Sequence, residues 1–333
     1  MRCAVVGAGS WGTALAIQLA RLGHAVRMWD RKAERAAAHE AARENSQYLP
    51  GIPFPATLGV MADLPRALKD AELVVAVVPS QTMRGVMAEA GDAIADGAVI
   101  CCASKGIETG SLETMDEVLR EVLPARLHGQ ICALSGPSFA KELAQGLPTA
   151  VVVAAHDEAV SHAVADAFHG SVLRVYTSDD LVGVEIGGAL KNPLAIACGI
   201  SDGLGLGLNA RAAIITRGLA EITRLAVARG ANPLTMMGLA GMGDLVLTCT
   251  GNLSRNRRVG LAIGQGRTLQ DILDELGQVA EGVVTARSAT NLGKATGVEL
   301  PIIETVCAVL HEDKPAREGL ADLMGRARRA ERD

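Results

Sequence analysis

The sequence predicts an α/β protein in two parts: a doubly wound, mostly parallel sheet over residues 1–180, then an all-helical domain over 181–333. Three observations carry this. Short aliphatic runs alternate with segments of helical periodicity in the first half, the pattern of a parallel sheet covered on both faces. After Ser178-Asp179-Asp180 the pattern changes to long helical periods with little strand signal. The composition is the third: 49% of the 333 residues are hydrophobic and 37 are glycine, against three Phe, two Trp and two Tyr. A core of Ala, Val, Leu and Ile is therefore available, and global disorder is excluded.

In chain order, strands are expected at 2–6, 25–29, 57–61, 73–78, 98–103, 131–134, 150–153 and 172–176. Helical periods lie between most of them, at 11–22, 31–43, 81–94, 112–123, 138–145 and 158–168. The second half holds expected helices at 184–198, 208–229, 254–263, 269–275, 283–292, 302–310 and 316–326. Glycine-rich stretches at 199–207 and 238–243 are expected to break the helical pattern. The charged tail from Arg326 reads as solvated.

The charge balance excludes some partners. With 32 Lys and Arg against 37 Asp and Glu, the net charge is −5, so no basic excess exists to meet a nucleic-acid backbone. Mean hydropathy is +0.24, yet the best apolar stretch, 193–220, is interrupted by Asp202, Arg211 and Arg217, and no membrane-spanning helix is expected. Cys3, Cys101, Cys102, Cys132, Cys198, Cys249 and Cys307 form no C-x-x-C pair and sit mostly in apolar runs. They read as buried reduced thiols rather than a disulfide frame or a metal site. The N-terminus runs straight into a strand without a signal peptide, so a cytoplasmic protein is expected.

Directly after the first strand comes Gly7-Ala8-Gly9-Ser10-Trp11-Gly12, opening an amphipathic helix. A lone G-x-G-x-x-G is weak, but here it has the strand-to-helix context it requires. Gly7 permits the tight turn, Gly9 lets backbone approach a pyrophosphate, and Gly12 allows close helix packing. The helix N-terminus offers N–H groups to the phosphates. This predicts a Rossmann-type dinucleotide site. Asp30, closing the second strand, can bond the ribose 2′-hydroxyl of NAD, and would repel the 2′-phosphate of NADP. Arg31 and Lys32 could instead hold that phosphate, or be solvated first-turn residues. The choice between NAD and NADP stays open at this level.

Four further segments suggest chemistry. Lys105, in Ser104-Lys105-Gly106, lies beyond the carboxyl end of an expected strand, where ligands of such sheets collect; the bland alternative is a surface lysine. Ser135-Gly136-Pro137-Ser138 forms a strand-to-helix turn in which Ser138 suits an N-cap, and this could be no more than a well-made turn. Lys191 stands in an apolar helical pattern with Gly187, Gly188, Leu194 and Ala195 at its helical neighbour positions, so no local acid pairs with it. A buried lysine there would have a lowered pKa suited to acid–base work, whereas a snorkelling lysine would not. Pro193, two residues on, breaks a helix rule as well. Finally, Ser254 suits an N-cap, and Arg255, Arg257 and Arg258 follow without an acid. That opposes the helix dipole unless an anion binds there.

Taken together, these segments resemble the bacterial NAD(P)-dependent glycerol-3-phosphate dehydrogenase family. The matching stretches are G-A-G-S-W-G-T-A-L-A at 7–16, S-K-G-I-E at 104–108, S-G-P-S-F-A at 135–140 and G-A-L-K-N at 188–192. They continue with G-L-A-G-M-G-D-L at 238–245, S-R-N-R at 254–257 and V-A-E-G-V at 279–283. The resemblance implies reversible hydride transfer between NAD(P)H and dihydroxyacetone phosphate, giving sn-glycerol 3-phosphate for phospholipid synthesis. It implies Lys191 as general acid or base, Asp244 orienting it, and Lys105 and Asn192 holding substrate and its oxygen. Ser254, Arg255 and Asn256 would receive the phosphate, and Gly136 and Ser138 would line the pocket. Ser10, Trp11, Arg31, Tyr48, Lys105, Ala140, Arg255, Val279 and Glu281 are implied as cofactor contacts. Asp30 and Pro193 depart from the family pattern. A related dehydrogenase acting on a carboxylate, and a cofactor-sensing module without turnover, remain alternatives. The apolar helical half could also support a homodimer.

Overall fold

The computed structural model describes residues 1–276, 280–328 and 330–331. All eight expected strands form, as β1 (Arg2–Val6), β2 (Ala25–Trp29), β3 (Leu58–Met61), β4 (Leu73–Ala76), β5 (Val99–Cys102), β6 (Ile131–Ser135), β7 (Thr149–Ala155) and β8 (Leu173–Ser178). They make one sheet in the order β3-β2-β1-β4-β5-β6-β7-β8. Every pairing is parallel except β6 with β7, so the last two strands run against the first six. The inner strands β4, β5 and β6 are buried along their whole length, whereas the edge strands β3 and β8 alternate with solvent. That is why the inner runs are continuously apolar.

Helices cover both faces of the sheet: α1 (Ser10–Arg21), α2 (Ala33–Ala42), α3 (Leu64–Leu68), α4 (Met83–Ala90), α5 (Met115–Val122), α6 (Ala140–Ala144) and α7 (Glu158–Phe168). Alternate strand residues enter two separate cores. Val5, Met28, Val75 and Cys101 pack with Leu15, Leu19 and Phe168 on one face. Ala4, Val74, Ala76 and Ile100 pack with Leu68, Met83, Met87 and Leu119 on the other. α3 lies where no helix was expected. Asp63 caps it and Pro65 stands in its first turn, which suffices for five residues. Because β1 is flanked by β2 and β4, the chain leaves it in opposite directions, opening a crevice beyond the carboxyl ends of β1 and β4.

The change to helices falls between Ser178 and Leu181. There follow α8 (Leu181–Gly203), α9 (Gly207–Ala228), α10 (Asp244–Thr250), α11 (Arg255–Gly264), α12 (Leu269–Leu276), α13 (Glu281–Thr296), α14 (Pro301–His311) and α15 (Ala316–Gly325). α8 is the axis of this part and is buried almost all round. It is long and apolar enough to cross a membrane, but 83% of its most apolar window is buried inside the protein; it is a core helix. It runs unbroken through Pro193.

The stretch 199–207 does break the helical pattern, but not at Gly199: α8 continues to Gly203 and α9 begins at Gly207. Its glycines are contacts: a Cβ on Gly199 would lie 2.1 Å from the Arg257 carbonyl, and one on Gly203 2.3 Å from that of Leu261. Gly260 of α11 returns the contact, its Cβ position lying 2.0 Å from the Ile196 carbonyl. The stretch 238–243, expected as a break in the helical pattern, is itself mostly helical. Leu239–Gly243 forms a turn of π-helix leading directly into α10.

Candidate active site

The glycine loop after β1 is built as its motif requires. Gly7 has φ 127°, and a Cβ there would stand 2.8 Å from the Val77 carbonyl. A Cβ on Gly12 would collide with the Gly7 carbonyl at 2.0 Å, whereas one on Gly9 would meet nothing within 4 Å. Two glycines thus close the turn and the third leaves its face open. Asn45, fully buried, donates from Nδ2 to the Ala8 carbonyl (2.9 Å) and to Thr13 Oγ1 (2.8 Å), clamping the loop from behind. Ser10 Oγ donates to the Tyr48 carbonyl at 2.8 Å. α1 has no acid in its first turn and no side-chain cap, so its first N–H groups remain for a ligand. Trp11 Nε1 is buried without a partner. An open glycine, uncapped N–H groups and an orphaned indole donor together fit a pyrophosphate-bearing dinucleotide.

At the end of β2, Asp30 does not present its carboxylate to this crevice as an unoccupied acceptor. It is 1% exposed and is forked by Arg35, with Nε 2.5 Å from Oδ2 and Nη2 2.6 Å from Oδ1. Arg31 and Lys32 are exposed beside it. The expected ribose acid is therefore already occupied, by a residue that local sequence reasoning passed over.

The chemical centre joins three distant elements. Lys105 follows β5, Lys191 sits midway along α8, and Asp244 opens α10. Asp244 Oδ2 accepts from Lys105 Nζ at 2.5 Å, and Oδ1 accepts from Lys191 Nζ at 2.6 Å. Thr248, one turn beyond Asp244, lies 2.9 Å from Lys191 Nζ. Lys105 Nζ also donates to the Gly136 carbonyl at 3.2 Å. Small residues make the approach possible. A Cβ on Gly188 would crowd Ser135 Oγ at 2.6 Å and the Lys105 chain at 3.6 Å, and one on Gly187 would strike the Ala240 carbonyl at 2.9 Å. Lys191 is thus buried, at 8% exposure, as expected, but it is not partnerless. Its acid comes from 53 residues away.

Burial lowers the Lys191 ammonium, Asp244 opposes that and Lys105 adds to it, leaving a pKa of about 8. For Asp244, burial alone would raise the carboxyl. The two ammonium groups outweigh it and hold the carboxyl below its ordinary value. Two cations thus share one anion in a dry site, and Lys191 is the group poised near neutrality.

Around this centre, Gly136 takes φ 133°, and its carbonyl also accepts from Ser138 Oγ at 2.9 Å. Ser138 is therefore not the N-cap; α6 begins at Ala140 with Phe139 before it. Ser254 does cap its helix, accepting from Arg257 N at 3.2 Å. The three arginines of that turn are not without an acid, because Arg257 forks onto Asp202 of α8, with Nη2 2.6 Å from Oδ2. Arg255 is exposed and within electrostatic reach of Glu281 and Tyr48.

Asn256 and Asn192 form a polarised chain. The Gly282 N–H can only donate, and it donates to Asn256 Oδ1 at 3.0 Å. Asn256 Nδ2 then donates to Asn192 Oδ1 at 2.9 Å. The direction of both amides follows, and the Asn192 Nδ2 donors are left for a ligand. Glu281 Oε2 accepts from Ser80 Oγ at 2.7 Å, tying the start of α13 to the loop after β4. Val279 lies outside the described residues. Asn45, Thr248, Ser80 and Arg35 were missed. Only Thr248 had a usable signal, standing four residues from Asp244.

Known proteins place the chain in a family. The model of the NAD-dependent glycerol-3-phosphate dehydrogenase N-terminus matches residues 2–161, and that of its C-terminus matches residues 180–321. The glycerol-3-phosphate dehydrogenase (NAD(P)+) of Geobacter sp. strain M21 is 55% identical over 330 residues, covering 99% of this chain and 98% of that protein. That of Anaeromyxobacter dehalogenans is 55% identical over 333 residues, covering 99% and 100%. The crystal structure of glycerol-3-phosphate dehydrogenase from Coxiella burnetii superposes with a TM-score of 0.93 at 42% identity, covering 98% of this chain and 99% of that one. D-mandelate dehydrogenase, at 15% identity and a TM-score of 0.63, shares the fold alone. The chain belongs to the NAD-dependent glycerol-3-phosphate dehydrogenase family.

Proposed function

We propose that the protein reversibly reduces dihydroxyacetone phosphate to sn-glycerol 3-phosphate with NADH or NADPH, feeding glycerophospholipid synthesis. The observation that carries this is the buried Lys105–Asp244–Lys191 cluster, in a chain whose relatives are glycerol-3-phosphate dehydrogenases. We assign the dinucleotide to residues 1–180 together with Arg255, Val279 and Glu281, and the substrate to residues 181–333 together with Lys105, Gly136 and Ser138.

Gly7, Gly9, Ser10, Trp11 and Gly12, with Arg31, Tyr48, Lys105, Ala140, Arg255, Val279 and Glu281, would hold the dinucleotide, which would supply the hydride chemistry at the substrate carbon when bound. Lys191 gives a proton from Nζ to the ketone oxygen, and takes one from the hydroxyl in reverse. Asp244 and Thr248 keep Nζ in position. The Asn192 amide donor and the Lys105 ammonium offset the charge that grows on the oxygen. Ser254, Arg255 and Asn256 receive the phosphate at the start of α11, where the positive end of the helix dipole favours an anion. The grip on the phosphate supplies remote binding energy for near-attack geometry.

The cluster argues against a cofactor sensor, which needs no proton donor. The rival carboxylate dehydrogenases of similar plan are supported by likeness of fold alone. We expect a cytoplasmic setting and a homodimer. The deciding measurement is the oxidation rate of NADH and of NADPH with dihydroxyacetone phosphate, beside 2- and 3-hydroxyacids in the oxidative direction. Absence of turnover with millimolar dihydroxyacetone phosphate would overturn the assignment.

A further inference from the structure

The acid at the end of the second strand of a doubly wound sheet ordinarily bonds the adenosine ribose 2′-hydroxyl and excludes a 2′-phosphate. Asp30 stands at that position, yet its side chain is wholly buried and its oxygens are in use. Arg35 Nε and Nη2 take one oxygen each, at 2.5 and 2.6 Å, and the Lys32 N–H donates to Oδ1 at 3.0 Å. His39, one turn beyond Arg35 on α2, brings Nε2 to 3.8 Å from Oδ2. The remaining Arg35 nitrogen, Nη1, donates to Tyr48 Oη at 3.2 Å, and the guanidinium lies 5.3 Å from the Tyr48 ring centroid. Tyr48 is itself tied to the glycine loop through Ser10. The Arg35 fork is thus held from both ends.

Two consequences follow for a dinucleotide. A bidentate guanidinium cancels the Asp30 charge at contact distance, and the complete burial of that side chain keeps its oxygens from a ribose hydroxyl. What remains exposed beside Asp30 is cationic, Arg31 and Lys32. Arg is the side chain best matched to a phosphate dianion.

We propose that Arg35 is a specificity-determining residue: by sequestering Asp30 it turns a position that ordinarily selects NAD into one that admits the 2′-phosphate of NADP, with Arg31 and Lys32 as its binding pair. This rests on the dinucleotide site assigned under Proposed function. Arg35 acts through Asp30 and need not touch the cofactor.

The test is the dissociation constant of NADPH and of NADH, measured by titration calorimetry at fixed ionic strength, with folding followed by circular dichroism. In Arg35→Met the freed Asp30 carboxylate should weaken NADPH about tenfold or more, while NADH changes less than about threefold. Asp30→Asn combined with Arg35→Met should recover most of the NADPH affinity, because the repelling charge is gone. Asp30→Asn alone should leave NADH within about twofold, since this carboxylate is no ribose ligand. That single variant keeps the native arginine and decides the matter even where Arg35→Met fails to fold. An unchanged NADPH:NADH ratio in Arg35→Met, no recovery in the double variant, or a tenfold loss of NADH in Asp30→Asn would each overturn the proposal. Failure of the wild-type chain to bind either dinucleotide would instead overturn the site itself.

Discussion

Lys191 has little around it on its own helix, and its chemistry is decided by what other elements bring. Asp244 holds it at 2.6 Å, Thr248 lies at 2.9 Å, and burial lowers its pKa to about 8. Replacing it with Ala should cut kcat about a hundredfold or more in either direction, leaving NAD(P)H dissociation constants unchanged. Undiminished turnover would remove Lys191 from proton transfer. The pH dependence has a definite sign. Ketone reduction needs the ammonium, about 90% populated at pH 7 and about 10% at pH 9 for a pKa near 8, so kcat/KM should fall as pH rises through 8. Oxidation of glycerol 3-phosphate needs the neutral amine, and its kcat/KM should rise over the same range. Parallel profiles in the two directions would contradict this assignment.

At the scale of elements, α8 and α11 are pressed together through glycine, and this contact sets the position of Ser254, Arg255 and Asn256 against Asn192. Gly260→Ala would drive a methyl toward a position 2.0 Å from the Ile196 carbonyl. Because backbone faces backbone there, the helices must part, and we expect about 1–3 kcal/mol of lost stability in urea unfolding. An unchanged midpoint would mean that the contact is not tight. The amide chain from α13 through α11 to α8 makes a second prediction. Asn256→Asp still accepts from Gly282 but cannot donate to Asn192, which must reverse and offer an oxygen to the substrate. Losing that donor should lower kcat/KM for the ketone about tenfold or more, with dinucleotide binding retained. An unaltered kcat/KM would show that the Asn192 amide does not face the reacting oxygen.

For the whole molecule, two sheet-face cores and one helical core are joined through a fourth small cluster in which Ala133, Val152 and Ala154 meet Leu181, Val184 and Ala240. The Ser80–Glu281 bond ties the two parts beside the candidate cofactor crevice. All seven cysteines are free and buried within these layers. Ellman's reagent should therefore label fewer than one thiol per native chain within minutes, and all seven after denaturation. Rapid labelling of several native thiols would show that the layers open easily.

The sequence by itself determined the eight strands, most of the helices, the change to helices near residue 180 and the glycine turn. These are short-range matters: alternation, turn geometry and caps act over a few neighbouring residues. Tertiary structure alone decided which charges are paired. Asp244 meets Lys191 across 53 residues and Lys105 across 139, and Asp202 meets Arg257 across 55. No local pattern encodes such separations, since they depend on how helices pack. The same holds for Gly199 and Gly203, which read as part of a break in one dimension and are contacts with α11 in three. Asp30 is the clearest case. Its position in the sequence marks it as a ribose acid, and only the folded α2, which turns Arg35 onto it, changes what that carboxylate can do.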